Sequence, residues 1–171
     1  MGPVLIAGVV LLAIFLSLAL FARGGPTETI GSGGLSPEAQ GVARLGLEEL
    51  GSVAGRLFNE LGFTGASTEQ LPGRFDLRME DPTPVTGQKV YIRCLLLPEA
   101  GAVESAQVQA ALDTARHEQL SKAVVLTVAT FSDEAKLLAQ GGGVELIDGN
   151  QLAALLRQHL PDVANRLGLP R

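Results

Sequence analysis

Two hydrophobic patterns in the second half of the chain constrain its fold more than any other feature. Residues 89–97 alternate, with Ile92 on one face and Arg93 on the other, which is typical of a strand whose two faces differ. Residues 122–128 are a nearly continuous apolar run, which indicates a strand that is covered on both faces. Because such a strand needs a helical layer on each side, the patterns predict an α/β sandwich around a central mixed sheet.

The other segments fit this sandwich. The predicted order is helix, three strands, helix, strand, helix, strand and helix, so the first strands form a meander and the later helices are crossovers. The predicted strands are an extended run that ends near Ser67, followed by residues 74–79, 89–97, 122–128 and 144–147. The first predicted helix begins after Ser36, and the others cover residues 103–119, 133–140 and 151–160. We therefore assign residues 36–160 to one domain and residues 161–171 to a C-terminal tail.

An apolar segment precedes this domain. Residues 3–22 contain no charge, and Ser17 is their only polar side chain. As a helix these residues span roughly 30 Å, the thickness of a bilayer core. A cleaved signal peptide is disfavoured, since no Lys or Arg precedes the segment and signal peptides have shorter apolar regions of about 7–15 residues. A buried core helix fits less well because nearly all faces are apolar. We expect a transmembrane helix at 3–22 and a flexible Gly-rich linker at 24–35.

The few charges near this segment predict its orientation. Arg23 follows it at once and Arg44 lies further on, whereas only the amino terminus is basic before it. The positive-inside rule then places the C-terminal domain in the cytoplasm. The single cysteine, Cys94, cannot form an internal disulfide, which agrees with a reducing compartment. The chain is thus expected to be a single-pass protein of the inner, or cytoplasmic, membrane.

The charge of the domain disfavours nucleic acid as its main partner. The whole chain carries −5, and Arg23 is the only charged residue before position 24, so residues 24–171 carry 12 basic and 18 acidic groups, or −6. Domains that hold nucleic acid through phosphate contacts are usually basic. One tyrosine and no tryptophan are present for base stacking.

Four stretches carry a family likeness. They are a helix running into Gly-aromatic at residues 57–63, Gly-Arg-Phe-Asp-Leu at 73–77, a strand followed by Thr-Phe-Ser and a helix at 125–135, and a closing strand and helix at 144–152. In this order they resemble the Mrr type of methyl-directed restriction enzyme, within the restriction-endonuclease-like fold of the PD-(D/E)xK superfamily. The resemblance implies a mixed sheet flanked by helices and hydrolysis of DNA phosphodiesters assisted by Mg²⁺.

The same resemblance locates the expected site. The family has an Asp on one strand and Gln-x-Lys on the next, and these positions correspond to Asp76, Arg93 and Leu95. A glutamate on the first helix of the family falls near Gly51, one turn from Glu48. Asp76 is therefore the candidate catalytic and metal-binding acid, but the glutamine and the lysine that should accompany it are replaced.

These replacements change the expected chemistry. Arg93 introduces a fixed cation where a neutral acceptor should meet the metal shell, and Leu95 can neither donate nor carry charge. A lone Asp76 is a poor Mg²⁺ ligand set, so we expect it to pair with Arg93 across adjacent strands. Lys89 shares the strand face of Arg93 and Leu95 and is the alternative source of a lysine, although it lies at the far end of the strand.

Two classes of function follow. The first is a catalytically inactive restriction-endonuclease-like domain that serves as a scaffold or accessory subunit, with a protein or membrane complex as partner and no cofactor. The alternative is an Mg²⁺-dependent DNA endonuclease of the Mrr type, or a DNA-binding protein that does not cleave. The acidic charge, Leu95 and the predicted anchor favour the first class.

Overall fold

The computed structural model describes residues 35–83, 87–97 and 101–170. Its centre is a five-stranded sheet in which the first two strand pairings are antiparallel and the other two are parallel. In spatial order the strands are β1 (Thr64–Leu71), β2 (Arg74–Glu80), β3 (Lys89–Leu95), β5 (Lys122–Thr127) and β7 (Val144–Ile147), while β4 (Ala102–Val103) pairs separately with β6 (Thr130–Phe131). The predicted mixed sheet, with a meander followed by crossovers, is confirmed.

Helices cover both faces of the sheet. They are α1 (Leu47–Glu60), α2 (Ser105–His117), α3 (Asp133–Gln140), α4 (Gly149–His159) and α5 (Pro161–Arg166), preceded by 3-10 turns at Pro37–Ala39 and Val42–Arg44. Helix α1 lies on the face that carries Phe75 and Leu77, where Gly51 and Gly55 approach these side chains. Helix α2 lies on the opposite face, where Ala111 packs in an apolar cluster that includes strand residues of β3, β5 and β7.

Side-chain caps mark the start of the crossover helix α3 and of α4, the helix that follows the last strand. The Ser132 hydroxyl accepts a hydrogen bond of 3.2 Å from the Ala135 amide at the start of α3, as its sequence position predicts. The Asp148 carboxylate accepts one of 2.8 Å from the Gln151 amide, and the Gln151 side chain accepts one of 3.0 Å from the Asp148 amide. This capping box makes Asp148 the cap of α4, so the helix begins at Gly149 instead of Gln151.

Three local predictions were wrong. Strand β1 does not end near Ser67 but continues to Leu71, because a tight turn at residues 72–73, with Gly73 at a φ of 74°, joins it to β2. Thr130 and Phe131, which the sequence predicts to be a turn between the strand at 122–128 and the next helix, instead form β6 by pairing with β4. Ser36 makes no side-chain cap and precedes only a 3-10 turn.

Within the described ranges, none of the helices is both long enough and apolar enough to cross a bilayer. The predicted anchor at residues 3–22, and all of the predicted linker except Leu35, lie outside those ranges.

Candidate functional site

Strand register places Asp76 directly opposite Arg93. Directly opposed residues of an antiparallel pair share a face of the sheet, and this face is the one covered by α2. The two side chains are almost completely buried, with exposed fractions of 1% for Asp76 and 4% for Arg93. Arg93 Nε donates to Asp76 Oδ1 at 3.1 Å, and Nη2 donates to Oδ2 at 3.4 Å. The predicted ion pair is confirmed, and it has the two-pronged geometry that makes arginine–carboxylate pairs strong.

Two hydroxyl groups also contact the Arg93 guanidinium. Nη2 donates to Tyr91 Oη at 2.5 Å and lies 3.3 Å from Thr114 Oγ1. Thr114 in turn donates to the Ala110 carbonyl at 2.8 Å, which fixes its hydroxyl on α2. The Arg93 Cζ atom lies 5.3 Å from the centroid of the Tyr91 ring. The guanidinium is therefore held from its own strand, from β2 and from the helix above.

Arg74 is a second cation beside the same carboxylate. Its Nε atom lies 3.4 Å from Asp76 Oδ2, and its side chain is 37% exposed. That Nε atom is buried and makes no hydrogen bond. Asp76 thus lies between two guanidinium groups, one buried and one at the edge of the cluster.

An outer group of charges continues along the same face. Arg78 donates to Glu118 through Nε at 2.7 Å and Nη2 at 2.8 Å, and its Nη2 also lies 3.3 Å from Glu69. The hydrogen bond from Arg78 lowers the pKa of Glu118, and the same bond raises the pKa of Arg78. Burial is the main reason that the pKa of the Tyr91 phenol is raised, and the negative charge of Asp76 adds to it. Tyr91 is thus a neutral hydroxyl in this cluster.

Leu95 is a core residue. It is 7% exposed and packs in the apolar cluster under α2 together with Val108 and Ala111. The position at which the family resemblance expects a lysine therefore presents only hydrocarbon. Its backbone carbonyl accepts a hydrogen bond of 3.0 Å from the Thr127 hydroxyl, which ties β3 to β5.

The other sequence candidates are not brought to Asp76. Gly51 lies on the opposite face of the sheet, where a Cβ atom would overlap the Phe75 ring, so a glutamate has no room there. The exposed Glu48 lies on the same helix, α1. Lys89 is exposed and lies opposite Glu80 in the sheet. It is four residues along β3 from Arg93, a distance of about 13 Å.

Three partners of the ion pair have no counterpart in the sequence-based prediction. The sequence could have identified Arg74 and Tyr91, because Arg74 is two residues from Asp76 and Tyr91 is two residues from Arg93. Residues two apart share a strand face. The sequence could not have identified Thr114, because its contact with Arg93 depends on how α2 is rotated over the sheet.

A divalent cation does not fit the residues that are present. Both oxygens of Asp76 are engaged by Arg93, and Mg²⁺ requires several oxygen ligands around it. In the part of the chain that the structure describes, no three His, Cys, Asp or Glu side chains are grouped so that they could hold a metal ion. The cluster as it stands is an internally neutralised polar site.

Cys94 is expected to be unreactive in the folded protein. It is fully buried in β3, and this burial raises the pKa of its thiol, so little thiolate forms. At pH 8, iodoacetamide should label less than about a tenth of the native chain in the time that labels the denatured chain completely. Mass spectrometry of the intact protein measures this, and the chain has no second cysteine to interfere. Rapid labelling of the native protein would contradict the burial.

The mixed sheet flanked by helices, with Asp76 and Arg93 opposed on neighbouring strands, is a restriction-endonuclease-like domain. The chain belongs to the Mrr_cat restriction endonuclease family, whose model matches residues 42–156. This match includes β1, β2, β3 and the whole cluster around Asp76.

The chain also resembles solved structures at low sequence identity. The DNA modification-dependent restriction endonuclease AspBHI is 15% identical with a TM-score of 0.52, and the match covers 84% of this chain and 44% of that one. AF1548, a protein of unknown function, is 18% identical with a TM-score of 0.50, and the match covers 71% of this chain and 65% of that one. The MspJI restriction endonuclease, in complex with a 27-mer oligonucleotide, is 19% identical with a TM-score of 0.44, and the match covers 90% of this chain and 33% of that one. No curated protein matches the chain. The chain thus spans less than half the length of AspBHI.

Proposed function

We propose that this domain has kept the fold of the restriction endonuclease family but does not hydrolyse phosphodiesters, and that it serves as a binding or scaffold domain at the cytoplasmic face of a membrane. The buried ion pair between Asp76 and Arg93, at 3.1 Å, is the observation that carries this proposal. A carboxylate that is already neutralised by a permanent guanidinium cation is poorly suited to recruit a metal ion.

The surroundings of the pair support the same conclusion. Phosphoryl transfer requires groups that stabilise the charge developing on the phosphate. Leu95 lies in the apolar core, and Lys89 is about 13 Å along the strand from Arg93. The basic group nearest to Asp76 on the exposed side is Arg74, and it contacts the carboxylate itself.

The proposed partner is a protein, including a subunit of a larger membrane complex. The net charge of −6 on residues 24–171 disfavours a phosphate backbone, and the apolar segment at 3–22 supplies the proposed membrane attachment. DNA is the competing partner, because AspBHI is described as a DNA modification-dependent restriction endonuclease. That likeness concerns the fold alone.

A cleavage assay tests the proposal. The full chain, purified in detergent, is incubated with supercoiled plasmid DNA and either Mg²⁺ or Mn²⁺, beside an Asp76→Ala variant. We expect no nicking above that of the variant, because Arg93 occupies both carboxylate oxygens. A commercial restriction enzyme in the same detergent provides the positive control.

The same samples, run on a native gel at low salt, separate the alternatives. Nicking by the wild-type chain that Asp76→Ala abolishes would contradict the proposal and support the nuclease. A shift of the DNA without nicking, weakening steeply as salt is raised, would instead support DNA binding without cleavage.

A further inference from the structure

We infer that the outer edge of β1 is a self-association surface, where two copies of this chain join their sheets by antiparallel pairing of β1 with β1. A two-fold axis at Thr68 relates the copies, and the joined sheet has twice the five strands of one copy. Pairing at this edge involves no atom of Asp76 or Arg93. The inference is therefore independent of whether the domain cleaves DNA.

Strand β1 is the long open edge of the sheet. Within the described residues it pairs only with β2, and it is eight residues long, whereas β7 at the opposite edge has four. Residues 64–70 are all exposed, so neither face of the strand is covered and a further strand has room beside it. The backbone amide and carbonyl groups along such an edge form a template for another strand.

The edge has few of the features by which proteins block such pairing. Strand β1 contains no lysine, arginine or proline, and Glu69 is its only charged residue. A bulge between Thr64 and Ser67 disturbs the start of the strand, but residues 67–71 pair with β2 in regular register. The Glu69 carboxylate lies 3.3 Å from Arg78 Nη2, which offsets the one charge that opposes a second copy.

Alternate residues of β1 direct their backbone groups to the open side. Leu71 lies opposite Arg74 across the two-residue turn, which makes theirs a hydrogen-bonded pair. Because bonded and non-bonded pairs alternate along antiparallel strands, Thr68 and Gln70 direct their amide and carbonyl groups away from β2. Thr68 is the nearer of the two to the middle of β1, so a strand that bonds there continues in both directions.

An axis at Thr68 gives a self-complementary register, which is why a second copy is the expected partner. The two Thr68 residues lie opposite each other, and Glu69 of each copy lies opposite Ser67 of the other. Gln70 likewise lies opposite Ala66, so no two like charges are directly opposed. Opposed threonines are a favourable cross-strand pair, whereas an axis one residue further on would oppose two Glu69 carboxylates and destabilise the pairing.

Sedimentation velocity of the full chain in detergent, over a range of protein concentrations, tests this inference. We expect a reversible equilibrium between monomer and dimer for the wild-type chain. Thr68→Lys should raise the dissociation constant at least about tenfold, because two cations are then directly opposed. Gln70→Lys is the matched control, since it adds the same charge to the same exposed edge but lies opposite Ala66, and it should change the constant by less than about threefold.

Mixing the two oppositely charged variants gives a second measurement. Thr68→Lys and Thr68→Glu, each monomeric alone, should form a dimer when mixed in equal amounts, because the opposed charges then attract. Far-ultraviolet circular dichroism checks that each variant is folded. If Thr68→Lys does not fold, Thr68→Glu alone should weaken the wild-type dimer by a similar factor.

Three results would overturn the inference. The first is a wild-type chain that stays monomeric across the concentration range. The second is a dimer that Thr68→Lys leaves intact, because another surface, such as the apolar segment at 3–22, then holds the copies together. The third is an equal effect of Gln70→Lys and Thr68→Lys, which contradicts the axis at Thr68. Plasmid nicking by the wild-type chain would contradict the proposed function and leave these outcomes unchanged.

Discussion

Replacing Arg93 by methionine is expected to lower the free energy of unfolding by about 3–5 kcal/mol. Methionine keeps much of the aliphatic volume but removes the charge and every donor. The Asp76 carboxylate, 1% exposed, then remains buried without its principal partner, and the Tyr91 and Thr114 hydroxyls each lose a hydrogen bond. Urea denaturation of the full chain, followed by far-ultraviolet circular dichroism, measures the loss.

Arg74→Met is the matched control, because it removes the same group from the other side of the same carboxylate. The Arg74 side chain is 37% exposed and its contact with Asp76 lies at 3.4 Å without a hydrogen bond, so the expected cost is below about 1 kcal/mol. Combining Arg93→Met with Asp76→Leu should recover most of the lost stability, since both charges then leave the interior. Equal effects of the two arginine substitutions would contradict the distinction between a buried and an edge cation.

Under the proposed function, this stability effect explains how the domain keeps its fold without a bound metal ion. A buried carboxylate destabilises the folded state unless a cation neutralises it. A metal ion does this only when it is bound, whereas Arg93 does it in every molecule and at any metal concentration. In the proposed function, the same Arg93 side chain that occupies the Asp76 oxygens also supplies a permanent counterion there.

Periodicity predicted the sheet because its strands differ in burial along the sequence. The continuous apolar run became β5, buried at every position from Ala123, and the alternating run became β3. The two faces of β3 do not differ in exposure as predicted, because every residue from Val90 onward is buried and Arg93 is buried in an ion pair. The same method missed the end of β1, because all but one of its residues are exposed and hydrophobicity does not mark a strand that faces water on both sides. It also missed the pairing of β4 with β6, which is two residues long and depends on where the chain returns.

Strand parity predicted the centre of the candidate site. Asp76 and Arg93 were expected to pair because they lie on neighbouring strands, and the register places them directly opposite. The hydroxyl of Thr114 could not be predicted, since a sequence does not give the rotation of α2 over the sheet. The overlap at Gly51 could not be predicted either, because it arises where the ring of Phe75 occupies the space that a side chain on α1 would need.

A single methyl group at Gly149 is expected to destabilise the domain by about 1–3 kcal/mol, the usual cost of overpacking. Gly149 begins α4, and its amide donates to the Ala129 carbonyl at 2.9 Å. A Cβ atom there would overlap both the Val128 carbonyl oxygen and the Leu35 side chain. The leucine can move, but the carbonyl belongs to the backbone that leaves β5, so Gly149→Ala must displace the start of α4.

Gly55→Ala is the same type of substitution, but we expect it to stabilise the domain. Gly55 lies within α1, and a Cβ atom there would meet Leu77 Cδ2 at 3.4 Å, an ordinary contact. Because alanine favours a helix over glycine by about 0.5–1 kcal/mol, this variant should gain stability of that order. Urea midpoints of the two variants, compared at equal m-values, should therefore move in opposite directions. If Gly149→Ala is as stable as the wild-type chain, the backbone of α4 does not approach β5 as closely as described, and the closing strand and helix at 144–152 must be held together in another way.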